Sequence, residues 1–216
     1  MKNWQAQAEK VRQALADPTP IAPAALLVPR DLEGHLARKM EPLPGVIPRQ
    51  AAVLLLFYPQ EDELWFPLTV RSNNVADHKG EVSLPGGSVD PEDTGLVATA
   101  VRETHEELGI EPGLIEIWGL LTTLYIPHSN FSLTPIVGFT AKPPQIVPNP
   151  TEIATVFNVS LAVLLNPATV VVEEWLLHEA KLQVPFFALQ GHKVWGATAL
   201  LLSELVARLH RQTFSV

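Results

Sequence analysis

The chain of 216 residues contains no cysteine. Disulfides and thiolate metal sites are thereby excluded, and the composition fits a reducing interior. Cations are scarce too: 15 Lys and Arg against 23 Asp and Glu give a formal net charge of −8. A chain of that sign is a poor match for nucleic-acid phosphates, so no nucleic-acid partner is expected. An anionic small molecule stays open, because a bound cation reverses the local field. No apolar run approaches the roughly 20 residues that a membrane helix needs, so no membrane partner is expected. The opening MKNWQAQAEKVRQ lacks the apolar centre of a signal peptide, and the chain reads as soluble and cytoplasmic.

What is present suffices for one sizeable core, with 47% hydrophobic residues. Residues 3–15 suit a helix, since Trp4, Ala8, Val11 and Leu15 recur at helical spacing. Prolines at 18, 20 and 23 stop it and open an irregular arm over 18–50, with helical turns expected near 32–39. The division expected is a helix and proline-rich arm at 1–48 and the main domain at 49–216. Segments 49–59 and 64–72 flank the turn QEDE and read as a hairpin. A short strand over 80–87 runs into a glycine turn, and a helix over 93–108 follows. Further strands are expected at 114–126, 132–141, 152–161, 169–177 and 182–189, with a helical turn at 161–165 and a long helix at 195–211. Strands and helices mix without regular alternation, so the class is α+β, a mixed sheet between helices in an α/β/α sandwich.

The most informative run is LPGGSVDPEDTGLVATAVRETHEELGI, residues 84–110. On its helix, Val97, Val101, Thr104 and Leu108 form the stripe expected to face the core, while Glu103, Glu106 and Glu107 share another face. Asp90 with Pro91 is a start signal, Asp93 a candidate cap, and Gly109 followed by Ile110 a stop. Two readings of the three glutamates stand side by side. One is a solvated acidic face, with Arg102 in a surface ion pair. The other is a hard-cation site for Mg²⁺ or Mn²⁺, with Arg102 bracing Glu106 from one turn away. The preceding PGG favours the second, because glycines let backbone approach a ligand closely.

The spacing Gly87…Asp93…Arg102-Glu103-Thr104-His105-Glu106-Glu107-Leu108-Gly109-Ile110 resembles the Nudix box. Asp93 stands where that pattern has a glutamate, one residue further from the arginine, and Thr104 occupies its apolar position. Upstream, LTVRSNNVADHKGEVSLPGG (68–87) resembles the signature of coenzyme A pyrophosphatases at Leu68, Thr69, Arg71, Ser72, Gly80, Pro85, Gly86 and Gly87. Ala76 replaces its second arginine and Leu84 its phenylalanine. The likeness runs from about residue 51 to 205.

This resemblance implies the Nudix fold and metal-dependent hydrolysis of coenzyme A or acyl-coenzyme A, giving 3′,5′-ADP and 4′-phosphopantetheine or its acyl form. It implies Glu103, Glu106, Glu107 and the Gly86 carbonyl as metal ligands, and Glu103, Glu106 and Arg102 as catalytic residues. Arg71, Lys79 and Gly87 are implied on the substrate side. Glu152 is a loop candidate for a further ligand or base, or a surface acid at a strand start. His78 and His128 read as loop residues, and Trp195 as packing for the last helix rather than a base stack. Alternatives are another nucleoside diphosphate derivative such as ADP-ribose, or a nucleotide-binding module without activity. An isopentenyl diphosphate isomerase is discounted, because that chemistry uses a cysteine. A homodimer is open, with the C-terminal helix or the arm as its surface.

Overall fold

The computed structural model describes residues 2–72, 80–177 and 179–213. Helix α1 (Asn3–Ala16) leads into the arm, which holds one short 3-10 turn at Pro23–Ala25. The helical turns expected near 32–39 do not form. Asp31 Oδ1 instead accepts from the backbone N–H of Glu33 and His35, and Arg30 bridges both Leu36 and Gln183. The aspartate thereby offers the backbone a turn in place of a helix.

Strand β1 (Arg49–Gln60) is the centre of the main sheet. Its near-continuous apolar run is buried on both faces, as expected for a strand covered from both sides. It turns through Glu61 and Asp62, both at positive φ, into β2 (Glu63–Arg71). Two left-handed residues match the twist of a tight hairpin. Then come β3 (Val82–Ser83), β4 (Gly86–Ser88), helix α2 (Leu96–Leu108), β5 (Glu116–Leu120), β6 (Leu124–Ile126), β7 (Phe131–Phe139) and β8 (Ile153–Ser160). The order β3-β2-β1-β7-β5 is extended by β4 on β1, β6 on β7 and β8 on β2; β1 and β7 run parallel.

Alternate residues of β1 feed two cores. Ala52, Leu54 and Leu56 pack with Ala100 and Leu108 of α2. Ala51, Val53, Leu55 and Phe57 join Ala8, Val11 and Ala14 of α1 on the opposite face. After the short α3 (Leu161–Leu165), a second sheet of β9 (Val170–Leu177), β10 (Ala180–Leu189) and β11 (His192–Val194) leads into α4 (Gly196–Thr213). The C-terminal helix lays Leu200, Leu201, Leu202 and Leu205 into the α1-side core, so covering that core is its role. The α+β class and the layers are as expected.

Beyond the absent turns at 32–39, two expectations are corrected and one strand is added. The predicted strand over 114–126 is two strands, because a register shift near Gly119 and the loop at 121–123 break it. β11 adds a hairpin strand through Gln190 and Gly191, both at positive φ. Helix α2 starts at Leu96, not Asp93, and Val97 is 38% exposed rather than in the core stripe. The buried face is rotated toward Ala100, Thr104 and Glu107. Thr104 is tolerated there because its hydroxyl donates to the Ala100 carbonyl at 2.7 Å.

Candidate active site

Strand β4 sets the site's geometry by lying antiparallel to β1, with Gly87 opposite Ala52 and Gly86 opposite Val53. A Cβ on Gly86 would stand 2.3 Å from the Ala52 carbonyl oxygen, and one on Gly87 would stand 2.6 Å from the Glu103 carboxylate. Backbone and a positive φ require glycine at Gly86, while a side chain at Gly87 would displace the Glu103 carboxylate from its place against the sheet.

The three glutamates are not equivalent. Glu107 lies on the buried side of α2, 2% exposed. The side chains of Glu103 and Glu106 are 16% and 49% exposed. Gly86 N–H donates to Glu107 Oε2 at 3.1 Å, and Arg71 Nη1 lies 3.7 Å from Glu107 Oε1. Burial above all, helped by the charges of Glu103 and Glu152 and opposed by the Gly86 bond and Arg71, pushes the Glu107 carboxyl up to about 8. Burial also raises Glu103, opposed by Arg102.

All five N–H groups of Arg102 are engaged. Nε and Nη2 donate to Asp93 at 2.9 Å each, and Nη1 donates to Glu103 Oε1 and Glu106 Oε2 at 3.0 Å each. Nη2 also donates to the Ser88 carbonyl at 3.1 Å. The bracing read for Arg102 is therefore present, and Asp93 belongs to it. Asp93 also accepts from Thr99 Oγ1 and the Asp90 N–H, so it does close the segment before the helix. The paired Arg102 fork holds Asp93 well below the usual carboxylate range and lifts the guanidinium's own pKa.

A loop closes the far end. Asn149 N–H donates to the Glu107 carbonyl and Val147 N–H to that of Leu108, which satisfies the end of α2. The same loop carries Glu152, held by Asn149 Nδ2 at 3.3 Å, while Ser72 N–H donates to the Glu152 carbonyl. An irregularity between Val70 and Arg71 of β2 aims Arg71 toward Glu107. Sequence reasoning missed the Asn149 contacts and the Asp93–Thr99 bond. The NPTE turn was the one signal for the first, and the second had none.

Among the described residues, no three His, Asp or Glu side chains converge as a ready metal cage. The donor set still fits a hard cation, because Glu107 is buried where two further carboxylates oppose its ionisation. Lys79, His78 and Ala76 lie outside the described residues. His128 sits in the exposed turn between β6 and β7. Trp195 meets Trp175 edge-on at 5.2 Å, packing the start of α4 onto the second sheet.

A NUDIX domain model matches residues 48–178. An uncharacterized Nudix hydrolase NudL of Photorhabdus laumondii is 33% identical over 163 residues, 74% of this chain and 85% of that protein. The human mitochondrial coenzyme A diphosphatase NUDT8 is 36% identical over 140 residues, 62% of this chain and 58% of that protein. Among solved structures, the Nudix hydrolase RenU of M. smegmatis aligns with a TM-score of 0.51 at 20% identity, over 78% of this chain and 88% of that one. At that identity the likeness is one of fold.

Proposed function

We propose a substrate from one premise: the chain belongs to the Nudix hydrolase family. It cleaves the diphosphate of coenzyme A or an acyl-coenzyme A, releasing 3′,5′-ADP and 4′-phosphopantetheine or its acyl form. The observation that carries this reading is Arg71. It comes from the segment that resembles the coenzyme A signature, and it stands 3.7 Å from the buried glutamate of the box. A cation between the glycine turn and the acids is well placed to meet a phosphate oxygen. The partial relatedness to a coenzyme A diphosphatase supports the same substrate.

Nudix hydrolases generally use divalent metal ions, and carboxylate oxygens suit Mg²⁺ or Mn²⁺. Glu103, Glu106, Glu107 and the Gly86 carbonyl would hold them. A bound divalent cation neutralises charge on the diphosphate and lowers the pKa of a coordinated water. The chain's own residues do the rest. Arg102 fixes the Glu103 and Glu106 carboxylates in place, while Gly86 N–H orients Glu107. One glutamate of the helix, or Glu152, takes the proton of the attacking water. Arg71, with Lys79 and the open backbone at Gly87, receives the phosphates. Positioning and electrostatics dominate such a reaction.

A second reading has its own observation. Ala76 stands where the coenzyme A signature has an arginine, and a lost cation favours another nucleoside diphosphate derivative such as ADP-ribose. A panel of coenzyme A, acetyl-coenzyme A and ADP-ribose, each with Mg²⁺ or Mn²⁺ and with products identified by mass, decides between them. Preferred turnover of ADP-ribose overturns the first reading.

A further inference from the structure

The second sheet leaves one face open. β9 is its edge strand, and its pairing with β10 places Val170 opposite Phe187, Val172 opposite Pro185, Glu174 opposite Gln183 and Leu176 opposite Lys181. Directly opposed residues share a face. At the β11 end this face is sealed, with Phe187 and Val194 in the main core. At the other end Val172 and Leu176 are 56% and 72% exposed. The arm widens the surface, because Arg30 pairs with Gln183 and Leu36 with Arg30, and Leu36 is also exposed. Within this apolar border lies one ion pair, Lys181 Nζ to Glu174 Oε1 at 3.0 Å. The neighbouring Glu173 faces the other way, where Lys193 neutralises it at 2.6 Å.

We propose that this face is the self-association surface of the protein, with a second copy as its occupant. The charge pattern selects that occupant. A single Glu–Lys pair inside an apolar border is self-complementary about a two-fold axis: turning one copy over the other sets each Glu174 against the other copy's Lys181. A partner of one charge sign would satisfy only half of the pair. The chain's net charge of −8 opposes association at long range, so the contact tightens with moderate salt.

Sedimentation velocity on the full chain tests this. Wild type is expected at about twice the 23.7 kDa of the chain, and Leu176→Lys at the single mass with an unchanged melting temperature. Lys181→Glu and Glu174→Lys each weaken self-association by roughly tenfold or more. Mixing these two variants restores the dimer, because every facing pair is again of opposite sign. A monomeric wild type overturns the proposal. So does a dimer indifferent to Leu176→Lys, or a mixture no tighter than its components, which would leave the ion pair a purely intramolecular contact.

Discussion

Glu204 and Arg208 stand one turn apart on α4, as Arg102 and Glu106 do on α2. The α4 pair is closed and balanced. Glu204 accepts from the N–H and hydroxyl of Thr122, and Arg208 donates to Glu204 and to the carbonyls of Ala14 and Asp17. One charge meets one countercharge, with backbone groups taking the remaining bonds, and the result ties both termini to the turn before β6. The α2 pair is neither closed nor balanced. A single guanidinium serves Asp93, Glu103 and Glu106, while among the described residues Glu107 meets an amide N–H and the more distant Arg71. A balanced buried network stabilises a fold. An excess of carboxylates around one arginine is the imbalance that the proposed divalent cation would offset.

The comparison breaks most sharply at Glu107. Glu107→Gln keeps an acceptor for the Gly86 N–H and removes a buried ionisable carboxyl. Metal-dependent hydrolysis is expected to fall by roughly a thousandfold or more while the melting temperature holds or rises. Wild-type-level turnover would sink the site assignment. On the other helix the effects exchange places. Arg208→Met strands Glu204 in a buried position and is expected to cost about 3–5 kcal/mol of stability, read by denaturant unfolding. Turnover per folded molecule should be unchanged.

Asp93→Asn gives a smaller effect. It removes the carboxylate to which two of Arg102's nitrogens donate, and with it the arginine's orientation toward Glu103 and Glu106. Turnover is expected to fall by roughly 10–100-fold with little change in KM. An unaltered kcat would return Asp93 to a role in starting the helix alone.

How far the sequence reached follows the same division. The box acids, Arg102 and the glycines were legible because local spacing puts them on one helix and one turn. The hairpin and α4 were legible because their periodicity is strong. Glu107's burial was not, since an acid inside the core face contradicts the pattern that locates cores; it is the buried Thr104 and Glu107 that rotate the stripe away from Val97. The Arg208–Glu204 network was equally invisible, because its partners Ala14, Asp17 and Thr122 are distant in sequence and carry no motif. Asp93 was legible as a cap and illegible as a clamp, because its bonds to Arg102 depend on how the chain between them folds back.

The last test sharpens the comparison through pH. Glu107 has a folded-state pKa of about 8 against an ordinary value of 4.5. A carboxyl raised in this way binds more protons folded than unfolded across that window. Its contribution to stability is therefore complete below about pH 4.5 and is lost as pH rises through about 8. In chelator, the melting temperature of the wild type should fall by roughly 3–6 °C between about pH 5 and about pH 8. Glu107→Gln removes the group, and its melting temperature should fall less over the same range. Added Mg²⁺ should cancel the wild-type decline, because the ionised carboxylate is the form that binds a cation. Matching slopes for wild type and variant in chelator would mean that Glu107 is ionised without a cation, and that the excess charge on α2 is solvated after all.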